Sequence, residues 1–320
     1  MQRRRYPQST RYPPHGRHGA RQAVGRPARL LPVLAALLGS LLLPPPAAAW
    51  GPQGHRVAGA MTGERLSPAA ARAVRAILGD EPLAEASTWA DRMRSDPAPF
   101  WQREAGAYHY VNIPAGAKRY DPRRAPARGD AFTALAQFRQ ELKDPSTPAP
   151  RRALALRFAL HIIQDLHQPL HAGGRDDRGG NDVAISVNGR RSNLHRLWDS
   201  GLLASGRSSD QRLQARLEAR YGDELAGAWL EPDPALWIAE SLALSRDLYP
   251  ASPTIDQAYL ERFRPVAERR IAQAAARGAA WLNALYAAEP GATTATSPEE
   301  PAAPPSDWWQ CLKDFLEELI

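Results

Sequence analysis

The chain has a single cysteine, Cys311, so an intramolecular disulfide is excluded and cohesion must come from core packing, metal or both. It also lacks a clean membrane-length apolar run. The longest stretch, Leu30 to Leu43, is broken by Pro32, Gly39 and Ser40 and is followed by three prolines. Acids are missing from the first 49 residues, which hold eight arginines. Those arginines account for the formal charge of +7, because the rest of the chain carries 33 bases against 34 acids. The basic pI of 9.8 therefore says little about partners. No internal repeat is evident and convincing strand text is nearly absent. What is there is 43% hydrophobic and 23% charged, the balance of a globular protein, and 320 residues leave room for a large core.

The first 49 residues have the layout of an export signal: a basic, Pro-rich leader, an apolar stretch, and the small-x-small site Ala47-Ala48-Ala49. A retained membrane anchor is the alternative. Cleavage after Ala49 makes Trp50 the new N-terminus of a secreted or periplasmic chain with no membrane span. Residues 50–288 then form one domain. Residues 289–320 form a Pro/Ala/Thr/Glu linker ending in a short amphipathic segment, Trp308 to Ile320, which is either a loose tail or a docking peptide.

Helical periodicity dominates the domain. Pro68 to Leu78 has Ser67 as N-cap and Gly79 as stop, and Asp130 to Leu142 aligns Phe132, Leu135, Phe138 and Leu142 on one face. Arg151 to His167 is apolar nearly all round and is expected to be the central buried helix. Gln211 to Arg220, Pro234 to Leu248 and Ile255 to Tyr286 also read as helices. Val183 to Val187 followed by Asn188-Gly189 reads as a small hairpin. The fold class is all-α with a small β-hairpin.

The chemistry lies in six histidines beyond the leader: His55, His109, His161, His167, His171 and His195. His161-Ile-Ile-Gln-Asp165 and His195-Arg-Leu-Trp-Asp199 each put an imidazole and a carboxylate one helical turn apart, offering four N and O ligands of the kind zinc takes. Two structural His/Asp hydrogen bonds are the alternative. Pro169 must end the preceding helix, freeing His171 to turn toward a second ion. Asp91 in Trp-Ala-Asp and His109 in Tyr-His-Tyr add another carboxylate and another imidazole, although Asp91 beside Arg92 also suits a surface ion pair. His167 receives no ligand role. The α-amine and carbonyl of a freed Trp50 can close a five-membered chelate, with His55 returning to the same ion.

Taken in order, Trp-Gly-x-x-Gly-His at Trp50, Trp-Ala-Asp, His-Tyr-Val-Asn, HIIQDLHQPLH, Gly-Gly-Asn and Asn-Leu-His-x-x-Trp-Asp resemble the zinc-dependent single-strand nucleases and 3′-nucleotidases of the S-one/P-one type, from Trp50 to about Tyr286. The resemblance implies a mostly helical domain holding three zinc ions. Asp91, His109, His161 and Asp165 would bind one ion. Trp50, His55 and a shared Asp165 would bind the second, and His171, His195 and Asp199 the third. It implies hydrolysis of single-stranded DNA or RNA, and of 3′-nucleotides, by metal-activated water attacking phosphorus, with Asp91, Arg94 and Asp165 at the reacting centre. Arg94 and Asn181 match phosphate or orienting contacts, with a surface arginine and a turn asparagine as alternatives. Tyr110 and Asn112 match a base-stacking platform and a base-edge contact; moulds usually carry Phe and Asp there, which leaves base preference open. The expected state is a monomer without a protein partner. The rival readings are a zinc phospholipase C, which shares fold and cluster, and a non-catalytic zinc-binding envelope protein.

Overall fold

The structure, a computed structural model, describes residues 50–287; the leader, the linker and the C-terminal segment lie outside them. Seven helices longer than ten residues organise the described residues: α1 (Pro52–Gly63), α2 (Pro68–Leu78), α3 (Ala131–Lys143), α4 (Ala149–Asp165), α5 (Asp210–Ala226), α6 (Pro234–Ser245) and α7 (Gln257–Leu285). Short helical turns fill the intervals, and none of the described helices is long and apolar enough to cross a membrane.

Local signals set most boundaries. The Ser67 hydroxyl accepts from Ala70 N, and Gly79, at φ 65°, ends α2 where a side chain would strain. Asp130 and Thr133 form a reciprocal capping box at the start of α3. Asp256 caps α7 by accepting from Tyr259 N. Asn188 and Gly189, both at positive φ, close the hairpin between β1 (Ala184–Val187) and β2 (Arg190–Asn193). Several bounds differ from the sequence reading: α5 runs on past Arg220 to Ala226, α6 stops at Ser245 rather than Leu248, and α4 spans Ala149–Asp165 rather than Arg151 to His167. Two further features differ. Pro52 opens a helix, α1, that Gly51, Gly54 and Gly59 had obscured. Ile255, read as the start of the last helix, instead belongs to β3 (Thr254–Ile255), which pairs in parallel with β1 beside Val187.

Apolar side chains gather into two cores. One joins α2, α3, α4 and α6 around Leu135, Phe138, Phe158 and Ile162. The other joins Trp50, α1, α5 and the middle of α7 around Met61, Trp198, Leu217 and Ile271. The alanines of α7 between Ala272 and Ala279 are fully buried and let α1 approach closely enough for Thr62 Oγ1 to donate to Ala275 O at 3.2 Å. As expected, α4 is central, buried continuously from Phe158 to its end. Its C-terminal turn runs between the two cores, and the candidate site is built there.

Candidate metal centre

Three residues at the end of α4 share a face by helical spacing: His161, Gln164 and Asp165, all buried. His161 Nδ1 donates to Ser87 O at 2.7 Å, which fixes the tautomer and aims Nε2 at Asp165 Oδ2, 3.2 Å away. From α1, His55 Nδ1 donates to Gln164 Oε1 at 2.6 Å, and its Nε2 lies 3.5 Å from Asp165 Oδ1. The two rings stack at 4.1 Å. His109 enters from the turn Ala105–His109 with Nδ1 at 3.0 Å from Asp165 Oδ2. Asp91 closes this half, its oxygens 3.7 Å from His161 Nε2 and 4.0 Å from His55 Nε2.

The other half is assembled from loops. Pro169 starts a short turn that carries His171, whose Nδ1 donates to His109 O at 2.6 Å while Nε2 faces Asp199 Oδ1 at 3.9 Å. Asn193 caps the next turn by accepting from Arg196 N, and the π-helical turn Leu197–Gly201 carries Asp199. His195 Nδ1 donates to Gly179 O at 2.7 Å, leaving Nε2 at 3.4 Å from Asp199 Oδ2. That approach needs a glycine, because Gly179 has φ 63° and a Cβ there would sit 2.5 Å from Leu170 O.

Trp50 is fully buried at the seam between the halves. Its indole Nε1 donates to Gln164 O at 3.0 Å, and Gly51 N donates to Asp199 O at 2.6 Å, so the backbone of residue 50 is tied to both ligand-bearing segments.

The donors fall into three groups, of which the first two share His161: His55, His161 and Asp165; Asp91, His109 and His161; and His171, His195 and Asp199. His55 Nε2, Asp165 Oδ1, His171 Nε2 and Asp199 Oδ2 are buried with no hydrogen-bond partner among the described residues. A buried polar atom without a partner costs roughly 1–3 kcal/mol, more for a charged group, and four such atoms facing one another fit bound cations. The electrostatics agree. Burial, followed by the His161 charge, lowers His55 to about 4, and burial, followed by Arg94, lowers His109 to about 4. Burial and His171 lower His195 to about 3. These imidazoles are neutral at pH 7, the form that binds metal. Burial opposes a charge on His161, but Asp165 and Asp91 outweigh it and raise the residue to about 9, so the field at the cluster favours positive charge. Burial pushes Asp199 well above the usual carboxylate range, against the hydrogen bond from Gln168.

Eight of the nine sequence-assigned ligands therefore converge through their side chains, and the ninth, Trp50, is anchored beside them. His167 is turned away, its Nδ1 donating to Ile163 O. Arg94 Nε pairs with Asp91 Oδ1 at 2.9 Å, and these two are the more exposed members, at 24% and 14%, so the cluster opens on their side. Tyr110 is half-buried and Asn112 exposed on the extended segment leaving His109. Asn181 behaves differently from the other expected contacts: its Nδ2 donates to Arg178 O inside its own turn. Sequence reasoning missed Gln164 and Gln168. Gln168 Nε2 donates to Asp199 Oδ1 at 2.7 Å, and both amides orient ligands. For Gln164 the available signal was polarity on an otherwise apolar helix face, in register with His161; Gln168 lies past the end of the helix, as the cap of the turn that carries His171.

The model of the S1/P1 nuclease family matches residues 50–287. The chain is 28% identical to Nuclease S1 of Aspergillus oryzae, over 82% of this chain and 99% of that protein. It is 26% identical to Nuclease P1 of Penicillium citrinum, over 75% and 99% of the respective chains. It is 28% identical to Endonuclease 4 of Arabidopsis thaliana, over 75% and 90%.

Proposed function

The chain belongs to the S1/P1 nuclease family, and from that premise we propose that it is a secreted, three-zinc phosphodiesterase. It is a nuclease, a hydrolase of ester bonds. In our reading it cuts single-stranded DNA and RNA to 5′-phosphorylated products and removes the phosphate of 3′-nucleotides. The observation that supports this best is the convergence of five imidazoles and three carboxylates with unpartnered atoms facing inward. Nitrogen and oxygen donors without thiolate, with Nδ1 of four histidines held by carbonyl oxygens, suit zinc.

One ion would be held by Asp91, His109, His161 and Asp165. The amine and carbonyl of Trp50 would hold a second with His55 and Asp165, and His171, His195 and Asp199 would hold a third. When bound, zinc supplies acidified water, its pKa lowered from about 15.7 toward 7, and positive charge for the phosphate. The chain's own residues do the rest. Arg94, at the open side and steered by Asp91, offers its guanidinium to the non-bridging phosphate oxygens. Tyr110 offers an aromatic face worth roughly 1–3 kcal/mol to any base, with Asn112 beside it for an edge contact. A paired base cannot present that face, which is the reason for single-strand preference. Asn181, its amide held by Arg178 O, would reach phosphate with its second N–H. The family match favours this reading over phospholipase C, and dispersal of the ligands from His55 to Asp199 argues against a storage protein.

Export with cleavage before Trp50 is part of the proposal, because only a free amine at residue 50 completes the second ion's ligands. The test compares protein processed to Trp50 with protein carrying one extra N-terminal residue. About three zincs and strand cleavage in the first, with one zinc and most activity lost in the second, are expected. Equal zinc content and equal cleavage would reduce Trp50 to a packing residue.

A further inference from the structure

Beyond the cluster, two chain segments run side by side into a groove of about 450 Å³ bordered by Lys118, Arg175 and Arg246. Val111 N donates to His171 O at 2.9 Å, so the extended segment carrying Tyr110 and the turn carrying a candidate ligand leave the centre together. The first arrives at the groove as Ala115 to Lys118, the second as Gly174 and Arg175. Gly174 is three residues from His171 and so lies at most about 11 Å along the chain from the centre, and Ala115, six residues from His109, at most about 22 Å. A strand with its scissile phosphate at the cluster enters the groove by following these two segments outward.

The groove's chemistry is one-sided. No carboxylate lines it, and among the described residues none pairs with Lys118, Arg175 or Arg246, all three of which are exposed. Two of the three are held in position. The Arg175 guanidinium lies 3.7 Å from the centre of the Tyr249 ring, and Tyr249 OH donates to Asp177 Oδ2 at 2.6 Å, which occupies a nearby acid. Arg246 donates to Ala117 O at 3.3 Å. The loop from Ala115 to Gly129 adds further bases, Arg119, Arg123, Arg124 and Arg128, against one acid, Asp121, which is tied to Arg123. From Trp50 onward the chain has no net excess of bases, so this is a local concentration of positive charge.

We propose that this groove is a phosphate subsite for the single-stranded polynucleotide, in which Lys118, Arg175 and Arg246 receive the backbone beyond the base bound at Tyr110. It rests on the nuclease reading and adds to it a contact that a mononucleotide is too short to reach. The groove thus separates the two substrates: strand cleavage uses it and 3′-nucleotide hydrolysis does not.

The test is a Lys118→Ala, Arg175→Ala, Arg246→Ala variant of the zinc-loaded enzyme, assayed on a single-stranded oligothymidylate and on 3′-AMP across a salt series. Three phosphate contacts on a single strand give a slope of about −2 in log affinity against log salt. The wild-type KM for the oligonucleotide should then rise roughly 20-fold more than the variant's between 50 and 200 mM salt. KM for 3′-AMP should be the same in both. An unchanged oligonucleotide KM and salt slope in the variant would overturn the subsite while leaving the nuclease reading intact. An equal loss on 3′-AMP would also overturn it, as a defect of the centre. Wild-type enzyme that cleaves neither substrate would sink both.

Discussion

Two buried polar clusters flank the C-terminal turn of α4, and they are built on opposite principles. On one side, Glu240, Arg270, Arg277, His167 and Ser241 close on one another. Glu240 accepts from both arginines, Arg270 also reaches His167 O and Ser241 Oγ, and Arg277 donates to His167 Nε2 at 3.1 Å. Only Arg277 Nε lacks a partner there. On the other side, the His/Asp centre leaves five ligand atoms without hydrogen bonds, Asp91 Oδ1 being the one that lies against Arg94. Both clusters contain buried histidine and one carboxylate that reaches toward solvent, Glu240 in the first and Asp91 in the second, so composition does not distinguish them. Hydrogen-bond closure does. A closed network holds a fold, whereas an open one of matched donors needs a further positive partner. The closed cluster also serves the open one. Arg270 and Ser241 satisfy the carbonyls of His167 and Leu166 at the end of the helix that presents Asp165.

The largest expected effect comes from the open cluster. His161→Ala or Asp165→Asn should lower turnover by more than about a hundredfold, since loss of a ligand should exceed the 10–100-fold typical of the groups that orient ligands. Zinc content by elemental analysis should fall in parallel; near-normal turnover in either variant would defeat the ligand assignment. Next comes the junction of the open cluster with its orienting amides. Gln168→Leu releases Asp199 Oδ1 and should weaken zinc retention by roughly 10- to 100-fold in a chelator competition, with the fold intact. Chelator resistance equal to wild type would show that the amide does not orient the ligand.

The smallest effect on chemistry should come from the closed cluster. Glu240→Gln leaves two buried arginines underpaired and should cost about 3 kcal/mol in denaturant unfolding, with turnover per folded molecule retained. Burial works against ionisation of Glu240, but the Arg277 and Arg270 contacts overcome it and lower the residue from 4.5 to about 2. Its contribution is therefore present above pH 4.5 and lost as pH falls toward 2, because the unfolded chain takes up the proton first. The variant should lack that segment of the stability–pH curve. If Glu240→Gln abolished zinc binding instead, the division between the two clusters would fail.

Much of this was legible in the sequence because it depends on near neighbours. Ser67 and Asp130 cap helices through residues three positions away, and Asn188-Gly189 closes a hairpin by its own backbone preferences. His161/Asp165 and His195/Asp199 announce themselves by a four-residue spacing that any helical turn converts into a shared face. The start of α1 was less legible, since Gly51, Gly54 and Gly59 weigh against a helix locally. They are accepted because close neighbours replace the missing side chains: a Cβ at Gly51 would lie 2.2 Å from Ser200 Oγ.

By itself, then, the sequence determined the helical class, most helix ends, the hairpin turn and the identity of the candidate ligands. Only the tertiary structure decided which nitrogen of each imidazole faces inward, that Gln164 and Gln168 orient ligands, and that His167 belongs to the closed network. Those outcomes depend on partners far away in the chain, such as Ser87 for His161, Gln164 for His55 and Arg277 for His167. Spacing along a helix fixes which side chains can share a face, but a buried polar atom takes whichever partner the packing of α1, α4, α6 and α7 brings within reach.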